Sequence, residues 1–201
     1  MLLKYHMGIP VLSEPMPCPD CRKIMDIFGD HAMTCKFTKD SIHKHDSVVD
    51  ILFNKLRAAG ISANLNVGHA SQSDNSRPGD IYVAQFDSFG EAFFDFSVIN
   101  ILCPSNLSSA AKGQLLGSEL RFKHKHKRYP LLKSQLKPLV VECTGGWNPK
   151  SLEYLNDMAE LIGSRTNVKA SIVLNNLLTT ISVCLQRNQG TMVVRRCLGL
   201  A

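Results

Sequence analysis

Four residues near the start of the chain constrain its fold more than any others: Cys18 and Cys21 in Cys-Pro-Asp-Cys, then His31 and Cys35. The spacing Cys-x2-Cys-x9-His-x3-Cys brings four soft or borderline ligands into one short stretch. The first pair suits a tight turn that aims two thiolates at one point, and His31 and Cys35 share one face of a helical turn. A tetrahedron can close around Zn(II) there without a hydrophobic core of its own. The spacing therefore predicts a zinc knuckle within residues 1–40, with chance proximity in a loop as the alternative. Seven cysteines, an odd number, do not suggest a disulfide framework in a chain without a secretory signal. Cys103, Cys143, Cys184 and Cys197 stand apart in mixed or apolar surroundings and are expected to be buried or inert thiols.

Residues 41–201 alternate helical and strand patterns. Residues 41–59 read as an amphipathic helix, with Ile42, Val48, Val49, Ile51, Leu52, Phe53 and Leu56 on its apolar side and Gly60 as its stop. Residues 61–67 form a weak strand and 71–79 a polar loop. Residues 80–86 and 92–102 are strands joined by a hairpin around Asp87-Ser88-Phe89-Gly90. Residues 107–128 look helical. Pro138-Leu139-Val140-Val141-Glu142 has the pattern of a central buried strand. Asn148-Pro149 opens a further helix, and residues 170–185 form a last one. This order predicts an α/β domain over 41–201, a central sheet flanked by helices. No apolar run approaches the length of a membrane span, and Lys4, His6 and Pro10 interrupt the opening Met-Leu-Leu before it could form a signal-peptide core. The expectation is a nuclear or cytoplasmic protein, neither secreted nor bound to a membrane.

The net charge of +6 is local. Residues 112–150 hold nine Lys/Arg against Glu119 and Glu142, so this stretch carries +7 and the remainder −1. A concentrated basic patch attracts polyanions, DNA or RNA above all, and a merely solvated helix face is the plainer reading.

Two acids and a lysine carry the candidate chemistry. Asp80 opens one strand after Arg77-Pro78-Gly79, and Asp95 lies within the next. Paired as a hairpin, the strands would bring both carboxylates near one end of the sheet, where hard oxygen ligands suit Mg(II) or Mn(II). Alternatively, Asp80 is a turn residue and Asp95 an exposed strand acid. Asp95 is flanked by Phe93, Phe94 and Phe96, so its charge calls for a partner. Lys125 and Tyr129 share a helical face, and Lys125 could supply that partner and position an attacking water, with Tyr129 on phosphate or on the lysine. His124 and His126 face different sides and read as surface or phosphate-contact residues. Glu142 is either a third acid near the metal or a strand-end partner of the basic helix. Trp147, after Gly145-Gly146, is either a core plug or a base-stacking platform.

Taken in order, these residues resemble a known family along nearly the whole chain. The motifs are Gly8-Ile9-Pro10, Cys18-x2-Cys21, Gly29-Asp30-His31-Ala32-x2-Cys35, Lys44-His45-Asp46 where the family usually has Arg-His-Asn, Arg77-Pro78-Gly79-Asp80-Ile81, Asp95-x-Ser97-Val98, Lys125-x3-Tyr129, and residues 138–142 followed by Gly145-Gly146-Trp147. The combination is similar to the restriction-like endonuclease domain, with its preceding zinc knuckle, of site-specific non-LTR retrotransposons and their stand-alone derivatives. The resemblance implies a PD-(D/E)XK nuclease fold with a central mixed sheet, in which Asp80 and Asp95 match the metal-binding acids. It also implies that the active-site lysine has moved from the strand, where Ser97 stands, onto the following helix, to Lys125 first and Lys127 second. It implies a DNA endonuclease that hydrolyses phosphodiester bonds with Mg(II) or Mn(II), carries structural Zn(II), and grips nucleic acid through Arg77, Lys123, Lys127 and Arg128. One departure is Asn66, which stands where many relatives carry Glu. It implies weaker metal binding and leaves a rival reading, a nucleic-acid-binding protein of the same fold that has lost cleavage. A zinc-stabilised module that binds acidic protein is a third.

Overall fold

A computed structural model of the protein describes residues 1–37, 39–66, 78–87, 90–132 and 134–199. The tip of the expected hairpin at Ser88 and Phe89, and the polar loop up to Arg77, lie outside the described residues.

The domain is built on a four-stranded mixed sheet in the order β3 (Ala63–Leu65), β4 (Ile81–Asp87), β5 (Gly90–Ile99) and β6 (Leu136–Glu142). The first three strands are antiparallel and β6 runs parallel to β5, with Asp95 opposite Pro138 and Ile99 opposite Glu142. A parallel neighbour needs a crossover, and two helices supply it: α4 (Pro104–Ala110) and α5 (Leu116–Arg128). The single helix expected over 107–128 is broken between them, where Leu115 takes a left-handed φ of 60°. The break lets α5 turn back along the sheet.

Side chains of β5 alternate between two layers. Phe94 and Phe96 join Ile81, Val83, Leu139 and Val141 in the main core, closed by α3 (Asp40–Ala58), α6 (Pro149–Thr166) and α7 (Ala170–Cys197). The buried positions of α3, Lys44, Val48, Val49, Leu52 and Leu56, fall at helical spacing and account for its placement. Trp147 is 8% exposed, belongs to this core and faces the Phe96 ring at 6.3 Å, so it plugs the core and offers no stacking platform. Asn148 caps α6, accepting hydrogen bonds from the N–H groups of Lys150 and Ser151, with Pro149 in the first turn. Ser151 ties that helix to β6, donating to Pro138 O at 2.8 Å and accepting from Val140 N at 2.9 Å.

The opposite face of β5, with Phe93, Asp95, Ser97 and Ile99, lies under α5. Gly117 makes this approach close: a Cβ there would stand 3.3 Å from Ile101 Cγ2 and 3.5 Å from Glu142 Oε1.

The N-terminal segment comprises α1 (Leu2–His6), a two-stranded ribbon of β1 (Met16–Pro17) and β2 (Ile24–Met25), and α2 (Asp30–Thr34). It shares a second core with the end of α7: Tyr5, Cys18, Met25, Ala32, Met33 and Cys35 pack with Met192, Val193 and Cys197. The last helix is longer than the expected 170–185 because its buried stripe continues through two polar side chains, Gln189 and Arg196. No described helix is long and apolar enough to cross a membrane.

Candidate active site and metal centre

The register of α5 on β5 organises the first site. Gly117, Arg121, Lys125 and Tyr129 recur every four residues on one helical stripe, and Ile99, Ser97, Asp95 and Phe93 recur every second residue on the strand below. Four helical residues advance ~6 Å and two strand residues ~6.6 Å, so the two series stay in step. The neighbours follow that order. A Cβ on Gly117 would be 3.9 Å from Ile99 Cγ2, Arg121 Nε donates to Ser97 Oγ at 3.4 Å, Lys125 Nζ meets Asp95 Oδ1 at 2.5 Å, and Tyr129 packs with Phe93.

Lys125 is thereby distinguished from the other cations of α5. It is 7% exposed, whereas Lys123, Lys127 and Arg128 are exposed. Its ammonium also reaches Phe96 O at 3.4 Å. Burial depresses the Lys125 ammonium against the pull of Asp95. Burial likewise pushes the Asp95 carboxyl upward against the pull of Lys125, and the charge of Asp80 pushes it the same way. Both partners are driven toward their neutral forms, the expected result for a charge pair taken out of water.

Asp80 reaches the site by a different route. Ile81 pairs with Phe94, and Asp80, just before it, donates its N–H to Phe94 O at 2.7 Å. Gly79 permits this approach, since a Cβ there would lie 2.8 Å from Phe94 O. Asp80 Oδ2 accepts from Phe96 N at 2.7 Å and lies 3.1 Å from His45 Nε2. The other nitrogen of that ring, Nδ1, lies 3.0 Å from Asp46 Oδ1. The hydrogen bond to Asp80, with Asp46 adding to it, raises the His45 imidazolium to about 9 despite partial burial. In the sequence, His45 figures only within the Lys44-His45-Asp46 motif and has no role at the site assigned to it. Its partner Asp80 is 35 residues away in the chain, and the run His43-Lys44-His45-Asp46 carries no periodic signal that sets it apart.

The remaining candidates are placed as follows. Tyr129 is buried with Phe93, Leu132 and Leu136 in a small apolar cluster, one turn beyond Lys125, and the Arg128 guanidinium lies 5.4 Å from its ring centre. Asn66 is exposed at a left-handed φ of 53°, and its N–H donates to Asp80 O at 2.9 Å. Glu142 lies at the opposite end of β5–β6 from Asp95; its carboxylate accepts from Ser118 N at 3.3 Å, in the first turn of α5. It is thus tied to that helix through backbone and is no third acid beside Asp95. Lys123 pairs with Glu119 at 3.1 Å. Arg77 lies outside the described residues.

The second site is the Cys/His cluster. The ligand atoms of Cys18, Cys21, His31 and Cys35 all lie within 4.8 Å of one another. Cys18 Sγ and Cys35 Sγ are 3.9 Å apart, and Cys21 Sγ is 3.0 Å from His31 Nε2. Edges of that size suit a tetrahedron with Zn–S near 2.3 Å and Zn–N near 2.0 Å, roughly. The local fold explains the convergence. Cys18 N donates to Lys23 O at 2.8 Å and Arg22 N to Cys18 O at 2.9 Å, which closes the Cys18–Cys21 turn, while Cys35 N caps the α2 turn on His31 O at 2.8 Å. These residues could hold a zinc ion.

Asp20, inside that turn, is gripped by the last helix. Arg195 donates to both its carboxylate oxygens at 2.9 Å, and Arg196 Nε donates to Oδ2 at 2.6 Å. Arg196 is fully buried and also donates to Ala32 O at 2.6 Å and to Asp40 at the start of α3.

Neither a family model nor a curated protein matches this chain.

Proposed function

We propose that the protein is a metal-dependent DNA endonuclease of PD-(D/E)XK type, with Asp80, Asp95 and Lys125 at its centre and a structural zinc ion in the N-terminal knuckle. The observation that carries this reading is the buried Lys125–Asp95 pair, with Asp80 anchored beside it on the neighbouring strand. A lysine and a carboxylate far apart in sequence, both desolvated and shifted toward neutrality, form a costly arrangement, and such arrangements concentrate at functional sites. Asp80, Asp95 and the Phe96 carbonyl are hard oxygen donors of the kind that Mg(II) or Mn(II) takes. When bound, such an ion supplies Lewis-acid polarisation of a phosphoryl oxygen and lowers the pKa of a water. The chain's own groups do the rest. Phe96 N–H and His45 fix Asp80 Oδ2 and leave Oδ1 for a ligand. Burial depresses Lys125 Nζ: as the ammonium it holds positive charge where a phosphate oxygen would sit, and as the neutral amine it can accept a proton from an attacking water. Lys123, Lys127 and Arg128 lie exposed on the same helix and suit backbone phosphates.

A second reading, a binder of the same fold that does not cut, is favoured by Asn66, which brings no charge beside Asp80.

Incubating the protein with supercoiled plasmid and branched DNA in Mg(II) or Mn(II) separates the two. The nuclease reading expects cleavage that Asp95→Asn and Lys125→Met each lower by about 100-fold or more, with DNA affinity the same or higher in Asp95→Asn. Cleavage that survives Asp95→Asn overturns the active-site assignment, and a wild type that binds DNA without cutting it in either ion establishes the binder.

A further inference from the structure

One turn up α5 from Lys125, a cavity of about 410 Å³ opens between α4, α5 and the end of β5. Its lining includes Ile99 and Leu120, Asn100, whose amide is taken by Tyr5 and Leu102 N–H, and Asn106, Ser109 and Arg121. The volume falls in the range of small-ligand sites, ~300–1,000 Å³. Its chemistry is that of a flat heterocycle's complement: aliphatic walls for the ring faces and amide and hydroxyl groups for a hydrogen-bonding edge. Asn106 uses its amide N–H on Asn100 O at 2.8 Å, so its side-chain oxygen is the acceptor it can offer. Arg121 stands at the boundary between cavity and active site. Its Nε is anchored on Ser97, two residues beyond Asp95, while the residue as a whole is exposed. The α5–β5 register therefore places a guanidinium one step along from Lys125 in the direction of the cavity, in the order a nucleic-acid strand presents a phosphate, its neighbour and the attached base.

We propose that this cavity receives the base of an unstacked nucleotide next to the scissile phosphate, with Arg121 holding the adjoining phosphate. The proposal rests on the phosphodiesterase reading for the position of the scissile bond. Extruding a base costs a few kcal/mol in a paired duplex and least where the nucleotide is already unpaired, so the site favours DNA with an extrahelical nucleotide.

The test reads binding alone, in buffer without added Mg(II) or Mn(II), so it remains informative whether or not the protein cuts. Fluorescein-labelled duplexes of about 20 base pairs carry one extrahelical thymidine, one extrahelical abasic residue, or no bulge, and anisotropy gives the Kd of each. Wild type should bind the thymidine bulge about tenfold more tightly than the abasic bulge, the effect expected when one base gains a pocket. Ser109→Phe should fill the cavity and reduce that ratio to below about twofold, with affinity for the plain duplex unchanged. Leu120→Trp, at a half-exposed position on the cavity wall, should do the same and covers the case in which Ser109→Phe does not fold. Arg121→Ala should weaken both bulged probes by similar factors. Equal affinity of wild type for the two bulges, or a preference that survives both filling variants, overturns the proposal. Loss of cleavage in Asp95→Asn with the base preference intact separates the fate of this pocket from that of the catalytic assignment.

Discussion

The environment of each carboxylate decides its role at the residue scale. Asp95 lies under a helix against Lys125, whereas Asp80 is held by a backbone N–H and an imidazole at the start of an inner strand. The His45 ring, raised to about 9 by Asp80, has a measurable consequence in protein without added divalent ions. A group whose folded pKa exceeds its unfolded value of about 6.5 stabilises fully below that value and loses its contribution as pH rises through the folded one. The melting temperature should therefore fall between about pH 6.5 and 9, and His45→Gln should flatten that part of the profile. A wild-type slope that persists unchanged in His45→Gln would assign it to other groups. Asp80, Asp95 and Lys125 were legible in the sequence because turn chemistry, apolar flanks and helical spacing each marked one of them. Lys125 was separable from Lys127 only once burial was known. Tyr129 shows the limit of spacing: four residues along the helix keep it on the same face but carry it past Asp95, to the level of Phe93.

Among the elements, α5 does two things with one helix. Its inner stripe of Gly117, Arg121, Lys125 and Tyr129 matches the strand step, while Lys123, Lys127 and Arg128 point outward. Charge reversal of those three outward residues should weaken DNA binding at low salt and reduce the slope of log Kd against log salt by about one unit for each phosphate that is no longer neutralised. An unaltered slope would make that face a solvated one. The sheet strands and α3 were legible from alternation and helical spacing, yet two helix boundaries were not. The break before α5 depends on Leu115 adopting a left-handed backbone, which a leucine does not advertise. The C-terminal half of α7 carries Gln and Arg on its buried stripe, so its hydrophobic period fades although burial continues, because the partners of those side chains lie in the N-terminal segment.

For the whole molecule, the cluster of Cys18, Cys21, His31 and Cys35 sits inside a core that α7 completes. Read from sequence, chelation should unfold residues 18–35 while sparing the α/β core. The shared core predicts a wider effect. Removal of metal should lower hydrogen-exchange protection both in 18–35 and in the last two turns of α7, while β4 and β5 remain protected. Arg196→Met should couple the same two regions without touching a ligand, because the buried guanidinium ties Asp20, Ala32 O and Asp40 together, and without it Ala32 O loses that donor while Asp20 and Asp40 keep only Arg195 of the two arginines. Exchange changes confined to 18–35 in both experiments would show that the knuckle opens independently. This coupling was invisible in the sequence because no local pattern relates Asp20 to Arg196.

The separation of those two residues also sets a timetable. Asp20 and Arg196 lie 176 residues apart, so a ribosome adding about 5–20 residues per second takes roughly 10–35 s to deliver the arginines after the aspartate. Through that interval the knuckle could close on a zinc ion but cannot dock, and Met25, Met33 and Cys35 have no α7 to cover them. The knuckle is therefore made well before the helix that completes its surroundings.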